Sequence, residues 1–268
     1  MIRVAVFGAG GRMGQAVCRA VAEDPDLQLV AAVDPRLDGI DLRQVTGVDA
    51  AGLQIAGDAG ALARAGAEVA VDFTVLEAAR DNLRWCAEHG VHAVVGTTGF
   101  DQRELGELAD LFATSDANCI VAANFAIGAV LMMRFAELAA PFMDSVEIVE
   151  LHHDAKKDAP SGTSLRTAER IAAARAAAGL DDPADPTETT VLPGARGGTG
   201  PGGVHVHALR LPGLVAHQEV IFGALGQSLT LRHDSYERTS FMPGVVLAVK
   251  QVAQRPGLTV GLDTLLGF

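Results

Sequence analysis

Apolar runs of strand length alternate with helix-like segments through the first half of the chain. The run Ile2–Phe7 is apolar and meets a glycine-rich stretch, which is typical of a buried parallel strand. A segment of helical composition follows at residues 12–22, and Leu27–Val33 is a second apolar run. Further strands are predicted at 69–73, 93–95 and 120–123, with helices at 78–89 and 127–138. This alternation predicts an α/β fold with a doubly wound parallel sheet.

The pattern changes in the second half. One apolar strand, 146–151, runs into a polar stretch and then into a helix from about residue 161 to 178. A Pro- and Gly-rich segment at 181–203 reads as a long mobile loop. Consecutive strands at 204–211, 214–222 and 228–233 then favour a second, α+β domain with a mixed or antiparallel open sheet. A final helix, 239–253, is expected to return to the first domain.

Composition narrows the class of protein. The chain has 268 residues, of which 49% are hydrophobic, and a formal net charge of -12. Such a surface repels phosphate backbones and anionic lipid, so no nucleic-acid or membrane partner is expected. Three widely spaced cysteines without a CxxC pair indicate a reducing compartment. The first residues have the pattern of a strand and not that of a signal peptide. Together with the cysteine pattern, this predicts a cytoplasmic protein.

The glycine-rich loop after the first strand carries the strongest nucleotide signal. Gly8, Gly11 and Gly14 form GxxGxxG, which permits a tight turn, close approach to a pyrophosphate and close helix packing. The phosphates would then lie at the helix N-terminus. Asp34 ends the second strand, where an acidic residue binds ribose hydroxyls and favours NAD. Arg36 would pair with a 2′-phosphate and allow NADP as well. A Rossmann-type sheet is therefore predicted.

Two later strand ends point to the same edge of the sheet. They run into Gly96-Thr97-Thr98-Gly99 and into Asn124-Phe125. Ligands in open α/β sheets bind beyond the carboxyl ends of the strands. Backbone groups and hydroxyls at this edge would hold the nicotinamide ribose and carboxamide. The alternative is an ordinary pair of loops, with Asp101 serving only as a helix cap.

A polar stretch after strand 146–151 is the candidate for the chemistry. His152-His153 and Lys156-Lys157 make a cationic cluster, and Ser161 is a good N-cap for the next helix. The N–H groups of Gly162 and Thr163 at the helix start would form a carboxylate site. Histidine exchanges protons near neutral pH, and lysine can hold a carboxylate or protonate a developing carbanion or enamine.

Other interpretations of this stretch stay open. A solvated loop before a capped helix would have the same composition. A His/Asp metal site lacks a third ligand nearby, and His152 and His153 would point to opposite sides of an extended chain. His205 and His207 share a strand face and are a second metal candidate. We expect no metal.

Together these motifs resemble the 4-hydroxy-tetrahydrodipicolinate reductase (dihydrodipicolinate reductase) family, which acts in the diaminopimelate route to lysine. The resemblance spans essentially the whole chain, and residues 152–163 are its most specific part. This sequence departs from the family pattern at Asp154 and Ala155, where basic residues are common, and at Ala123, where proline is common. These differences bear on substrate affinity more than on the type of reaction.

The resemblance implies hydride transfer from NADH or NADPH to a cyclic imine dicarboxylate, giving tetrahydrodipicolinate. His152 matches the family's proton donor or acceptor, Lys156 its proton donor, His153 a substrate-binding histidine, and Gly162 and Thr163 the carboxylate site. The matching dinucleotide contacts are Gly8, Ala9, Gly10, Gly11, Arg12, Met13, Asp34, Gly96, Thr97, Thr98, Ala122, Ala123, Asn124 and Phe125.

The implied organisation is a dinucleotide-binding domain at residues 1–126, joined by 239–268, and a substrate-binding and oligomerisation domain at 127–238. Family members are usually tetramers built through the second domain's sheet. Two competing hypotheses remain. A different two-domain dehydrogenase would lack the 152–163 cluster, and a non-catalytic NAD-binding regulator would bind the cofactor without turnover.

Overall fold

The chain forms two compact units. The computed structural model describes residues 1–50 and 52–268. The first unit comprises Met1–Ile127 together with Phe241–Phe268, and the second comprises Gly128–Ser240. These bounds differ from the expected ones by one or two residues, and the C-terminal segment lies in the first unit.

Strands and helices alternate along the first half of the chain, and strands predominate in the second. The strands are β1 (Ile2–Phe7), β2 (Leu27–Val33), β3 (Val69–Asp72), β4 (His92–Val95), β5 (Cys119–Val121), β6 (Ser145–His152), β7 (Gly198–Thr199), β8 (His205–Arg210), β9 (Ala216–Ala224), β10 (Gln227–Ser235) and β11 (Leu258–Val260). The helices are α1 (Arg12–Glu23), α2 (Leu42–Thr46), α3 (Gly60–Arg64), α4 (Leu76–Glu88), α5 (Gln102–Ala113), α6 (Ile127–Ala139), α7 (Gly162–Ala177) and α8 (Met242–Gln251).

The first unit is built on a parallel sheet with strand order β11-β5-β4-β3-β1-β2. Its strands are short apolar runs buried on both faces, as expected where helices cover a parallel sheet. Phe7, Leu83 and Phe112 bring β1, α4 and α5 into one core. The carboxyl ends of β1 to β5 therefore meet at one edge, where the loops of the first unit gather.

The helix α8 closes the first unit against α1. Lys250 on α8 lies 2.9 Å from an oxygen of Asp24 and 2.7 Å from one of Asp26, which follow α1. This explains why the C-terminal segment belongs with the N-terminal half. The α-helical part is shorter than the predicted 239–253, because 3-10 turns at Arg238–Phe241 and Val252–Gln254 flank it.

The second unit is built on a mixed sheet with strand order β10-β9-β6-β8-β7. The strand β6 is central, antiparallel to β9 and parallel to β8. Strands β8 and β9 are consecutive in the chain but lie on opposite sides of β6. Ile148 of β6 and Phe222 of β9 pack with Ile171 of α7 in the core. The face of β6 that meets α7 is therefore the buried one.

The loops hold more regular structure than the sequence pattern indicates. The segment 181–203 contains β7 and a 3-10 turn at Pro201–Gly203. Asp101 caps α5 in a reciprocal box: its side chain accepts from the Glu104 N–H, and the Glu104 side chain accepts from the Asp101 N–H. Among residues 1–50 and 52–268, we find no helix with the length and apolar character needed to cross a membrane.

Candidate active site

The loop between β1 and α1 is closed so tightly that its glycines have no room for side chains. A Cβ on Gly14 would lie 2.0 Å from the Gly8 carbonyl oxygen, and one on Gly10 would lie 2.3 Å from Leu37. Gly8 itself has φ +70°, a left-handed value that suits glycine. The GxxGxxG spacing therefore serves the close packing of α1 on the strand, as the motif predicts.

The backbone N–H groups of this loop divide into two sets. Those of residues 8–11 donate to protein oxygens at 2.8 to 3.1 Å, so the glycine turn uses them internally. No side chain in the described part of the chain caps α1. The N–H groups of Arg12 and Met13 therefore stand at an open helix N-terminus without an intrahelical acceptor. An anion bound at this point would be held by Arg12 and Met13 more than by the glycines.

Asp34 at the end of β2 is buried and holds the glycine loop in place. One carboxylate oxygen accepts the Gly10 N–H at 3.1 Å, and the other accepts the Arg36 N–H at 3.1 Å. The Arg36 side chain is exposed, with its Nε 3.6 Å from Asp34. A carboxylate has about four lone-pair positions, so Asp34 retains capacity to accept ribose hydroxyls.

A cavity of about 440 Å³ opens beyond the carboxyl ends of β1, β2 and β3. Such a volume suits part of a nucleotide. The elements of a dinucleotide site thus lie together in the first unit: an uncapped helix start, a tight glycine turn and a strand-end carboxylate. The cavity lining includes Gly8, Gly11, Asp34, Arg36, Thr74 and Asn82.

A second buried carboxylate, Asp72, joins the loops after β3 and β4. It accepts the Thr74 N–H and hydroxyl at 2.8 and 2.7 Å, the Asn82 amide at 2.7 Å and the Thr97 hydroxyl at 3.0 Å. The Thr97 hydroxyl donates its proton here, so its oxygen would act toward a cofactor only as an acceptor. We did not predict this role, although an acid at a strand end, like Asp34, is the signal that marks it.

The remaining predicted cofactor residues form the rest of this edge. A Cβ on Gly96 would lie 2.0 Å from the Phe73 ring, which packs on Phe125 with ring centroids 5.6 Å apart. The Asn124 side chain accepts the Ala126 N–H at 2.8 Å. Phe125 is therefore a core residue. Ala122 is buried, and Thr98 and Ala123 are exposed.

In the second unit, a fully buried carboxylate on β6 organises the polar cluster. Glu150 Oε2 lies 2.5 Å from His152 Nδ1. The Arg210 guanidinium binds both Glu150 oxygens, at 2.9 and 2.7 Å. The Ser161 N–H donates to the same carboxylate at 3.2 Å. The sequence pattern assigns Glu150 no role, although one acid in an apolar strand is a visible signal.

The environment of His152 sets its proton chemistry. Burial lowers its pKa, and this outweighs Glu150, which raises it; Lys156 and Arg210 lower the pKa further. Burial raises the Glu150 pKa, but hydrogen bonds from Arg210 and His152 outweigh burial and hold it below its usual value. An ionised carboxylate only accepts, so His152 Nδ1 carries a proton. The Nε2 atom of the neutral ring is then an acceptor.

Lys156 lies in the loop between β6 and α7. Its Nζ donates to both carboxylate oxygens of Asp158, at 2.9 and 2.8 Å, and one fifth of its side chain is exposed. The Lys156 N–H donates to the His153 carbonyl at 3.2 Å, and the His153 side chain is exposed. The structure thus places Lys156 near enough to His152 to lower its pKa and leaves His153 at the surface.

The start of α7 is fixed by a chain of buried hydrogen bonds. The Ser161 hydroxyl accepts the Ser164 N–H at 3.2 Å, and the Ser164 hydroxyl donates to the Gln218 side chain of β9 at 2.9 Å. Gly162, exposed, and Thr163, half-buried, form the first turn of this helix. Their N–H groups lie where a helix start favours a carboxylate.

The second metal candidate is occupied by ion pairs. His207 Nε2 lies 2.7 Å from Glu147, and His205 Nε2 lies 3.4 Å from Asp185. Arg196 binds the same two acids. Across the described ranges, 1–50 and 52–268, no group of three or more His, Cys, Asp or Glu side chains has the arrangement of a metal site.

Comparison with known proteins identifies the family. Models of the N- and C-terminal parts of dihydrodipicolinate reductase match residues 2–125 and 128–266. The 4-hydroxy-tetrahydrodipicolinate reductases of Cutibacterium acnes and Thermobifida fusca are 54% and 53% identical, each over 100% of both chains. The dipicolinate-bound dihydrodipicolinate reductase of Paenisporosarcina sp. TG-14 is 41% identical, covers 98% of this chain and 99% of that chain, and superposes with a TM-score of 0.86. The resemblance seen in the motifs is confirmed, and this chain belongs to the dihydrodipicolinate reductase family.

Proposed function

We propose that this protein is an NAD(P)H-dependent 4-hydroxy-tetrahydrodipicolinate reductase. It transfers a hydride to a cyclic imine dicarboxylate and yields tetrahydrodipicolinate in lysine biosynthesis. The observation that carries the proposal is the Glu150–His152 pair at the end of β6, with Lys156 in the loop that follows it. A non-catalytic nucleotide-binding protein has no need of such a group. Full-length relatives of the same name, more than half identical, support the assignment.

The residues that would hold the cofactor lie in the first unit. The N–H groups of Arg12 and Met13 hold the pyrophosphate at the open N-terminus of α1. Asp34 accepts the adenosine ribose hydroxyls, and the exposed Arg36 pairs with the 2′-phosphate of NADPH. The nicotinamide, when bound, supplies the hydride. The loops at Gly96–Thr98 and Ala122–Phe125 supply backbone contacts to its ribose and carboxamide.

The residues that would bind the substrate dianion lie in the second unit. One carboxylate is held by the first turn of α7, at Gly162 and Thr163, because the dipole at a helix start favours an anion there. The second carboxylate is held by His153. Dipicolinate, bound by the Paenisporosarcina relative, is likewise a cyclic dicarboxylate.

Lys156 and His152 have different functions in proton transfer. Hydride addition to a conjugated imine leaves negative charge on a carbon or nitrogen, and a proton must neutralise it. Lys156 donates that proton from Nζ. His152, with its pKa lowered by burial, is mostly neutral at neutral pH, so its Nε2 is the proton-accepting group of the site.

Assembly and location complete the proposal. We infer a homotetramer built through the sheet of the second unit. Measurement of the molar mass in solution tests this assembly. A cytoplasmic location agrees with the buried free thiols of Cys18, Cys86 and Cys119.

Turnover with the imine made in situ by the upstream synthase tests the function. The full chain is mixed with NADH or NADPH, and cofactor oxidation is followed by absorbance. We expect turnover with this imine and none with a panel of amino-acid and sugar substrates of other two-domain dehydrogenases. Cofactor binding without turnover of the imine would instead identify a non-catalytic NAD-binding protein.

A further inference from the structure

We propose that Glu150 is a positioning residue for the reduction, which fixes the tautomer and orientation of the His152 ring and, through Arg210, holds the loop that carries Lys156. The inference rests on the proposed function, since it assigns the two proton-carrying groups to a reaction. It gives a role to a side chain that touches neither ligand.

The carboxylate of Glu150 is saturated by its neighbours. Oε2 accepts from His152 Nδ1 at 2.5 Å and from Arg210 Nη1 at 2.9 Å. Oε1 accepts from Arg210 Nη2 at 2.7 Å and from the Ser161 N–H at 3.2 Å. About four lone-pair positions are available to a carboxylate, and these donors use them. The ring of His152 is therefore held by an acceptor that cannot reorient.

Arg210 extends this arrangement to the lysine. Its Nη2 also donates to the Asp158 carbonyl at 2.7 Å, and the Asp158 carboxylate binds Lys156 Nζ. One buried carboxylate is thus connected to both proposed proton carriers. The connection is kept although Arg210 Nε is buried without a hydrogen-bond partner among the described residues, which is a cost to stability.

Stability alone does not account for a buried ion pair at this position. Val146 and Ile148, the preceding residues on the same face of β6, are apolar and belong to the core. Replacing a buried ion pair with packed apolar side chains is often neutral or stabilising. A charged pair at Glu150 and Arg210 is explained by what it does to His152.

The charged groups facing His152 come from three elements. Glu150 of β6 raises the pKa of the ring, whereas Lys156 of the following loop and Arg210 of β8 lower it. Removing the anion and removing the arginine must therefore move the pKa in opposite directions. If the ion pair had only a structural role, the two substitutions would not shift the His152 pKa in opposite directions, because both break the same ion pair.

The test measures the His152 pKa by NMR of the cofactor-free full chain labelled at histidine, with His152→Ala assigning the resonance. For Glu150→Gln we expect the pKa to fall by about one unit or more, since a facing opposite charge shifts a pKa by that much. For Arg210→Gln we expect it to rise. The matched control is Glu147→Gln, on the same strand with its own histidine and arginine partners, which should leave the His152 pKa unchanged.

Kinetics give the second readout. Glu150→Gln should lower kcat at least about tenfold and move the pH–rate profile with the NMR value, while KM for NADH stays constant. If the single variant folds poorly, Glu150→Gln/Arg210→Gln removes both buried charges and should restore folding. The double variant should keep the low kcat and a lowered His152 pKa.

Three results would overturn the inference. One is an unchanged His152 pKa in Glu150→Gln, and another is a shift of the same sign in the two single variants. The third is recovery of kcat together with stability in the double variant. Failure of the proposed function looks different: the wild-type chain would not turn over the imine, while the opposite shifts of the His152 pKa in the two single variants remained.

Discussion

At the scale of single residues, Asp34 and Arg36 are the side chains that can distinguish the ribose of NADH from the 2′-phosphate of NADPH. The carboxylate of Asp34 repels a phosphate but is already bonded to the Gly10 and Arg36 N–H groups. The Arg36 side chain is largely exposed and free to turn toward a phosphate. The pair is therefore expected to accept both cofactors.

Replacing Arg36 tests this dual use. Arg36→Ala should raise the Kd of NADPH about tenfold, which corresponds to ~1.4 kcal/mol, and leave that of NADH unchanged. The effect is modest because the side chain is exposed and its interaction is screened by solvent. Titration calorimetry with both cofactors measures it, and Arg43→Ala removes a comparable exposed cation as a control. Equal weakening of both cofactors would remove Arg36 from phosphate recognition.

Residue patterns also mark the limit of what the sequence can predict about the site. The glycine motif, Asp34 and the Ser161 cap could be predicted, because each is a recognisable residue type at the end of a strand or the start of a helix. The link from Glu150 to Arg210 could not, since 60 positions separate them. The parallel pairing of β6 with β8 creates it by bringing Arg210 opposite His152.

At the scale of elements, the close packing of α1 on the glycine turn is what opens the anion site. The predicted bounds of β1 and β2 agree with the structure, because long apolar runs between turn residues are unambiguous. The strand β11 could not be predicted, since three residues at a sheet edge carry too little pattern. The five-residue helices α2 and α3 escape prediction for the same reason.

Two glycine-to-alanine substitutions separate packing from helix propensity. Gly14→Ala should destabilise the protein by about 1–3 kcal/mol, because its Cβ would overlap the Gly8 carbonyl, and should weaken cofactor binding by moving α1. Gly106→Ala, on an exposed face of α5, should stabilise it by about 0.5–1 kcal/mol. Thermal unfolding and cofactor titration measure both. Wild-type stability and affinity in Gly14→Ala would contradict the close-packing account.

At the scale of the whole molecule, the net charge of -12 is a poor guide to the ligands. Both proposed ligands are anions in an acidic protein. We propose that local features hold them, namely the N-termini of α1 and α7 and the cations around His152. The residues proposed to hold the two ligands lie in different units of the chain. Cofactor affinity and proton transfer should therefore respond to different substitutions.

Lys156→Ala tests this division most directly, through kcat and the Kd of NADH measured on the same preparation. Proton donation contributes about 10²–10⁴ in rate, so we expect kcat to fall by that factor while the Kd stays at its wild-type value. Lys157→Ala, an exposed neighbouring cation, should keep kcat within about twofold, because an exposed charge contributes little. A wild-type kcat in Lys156→Ala would contradict the account.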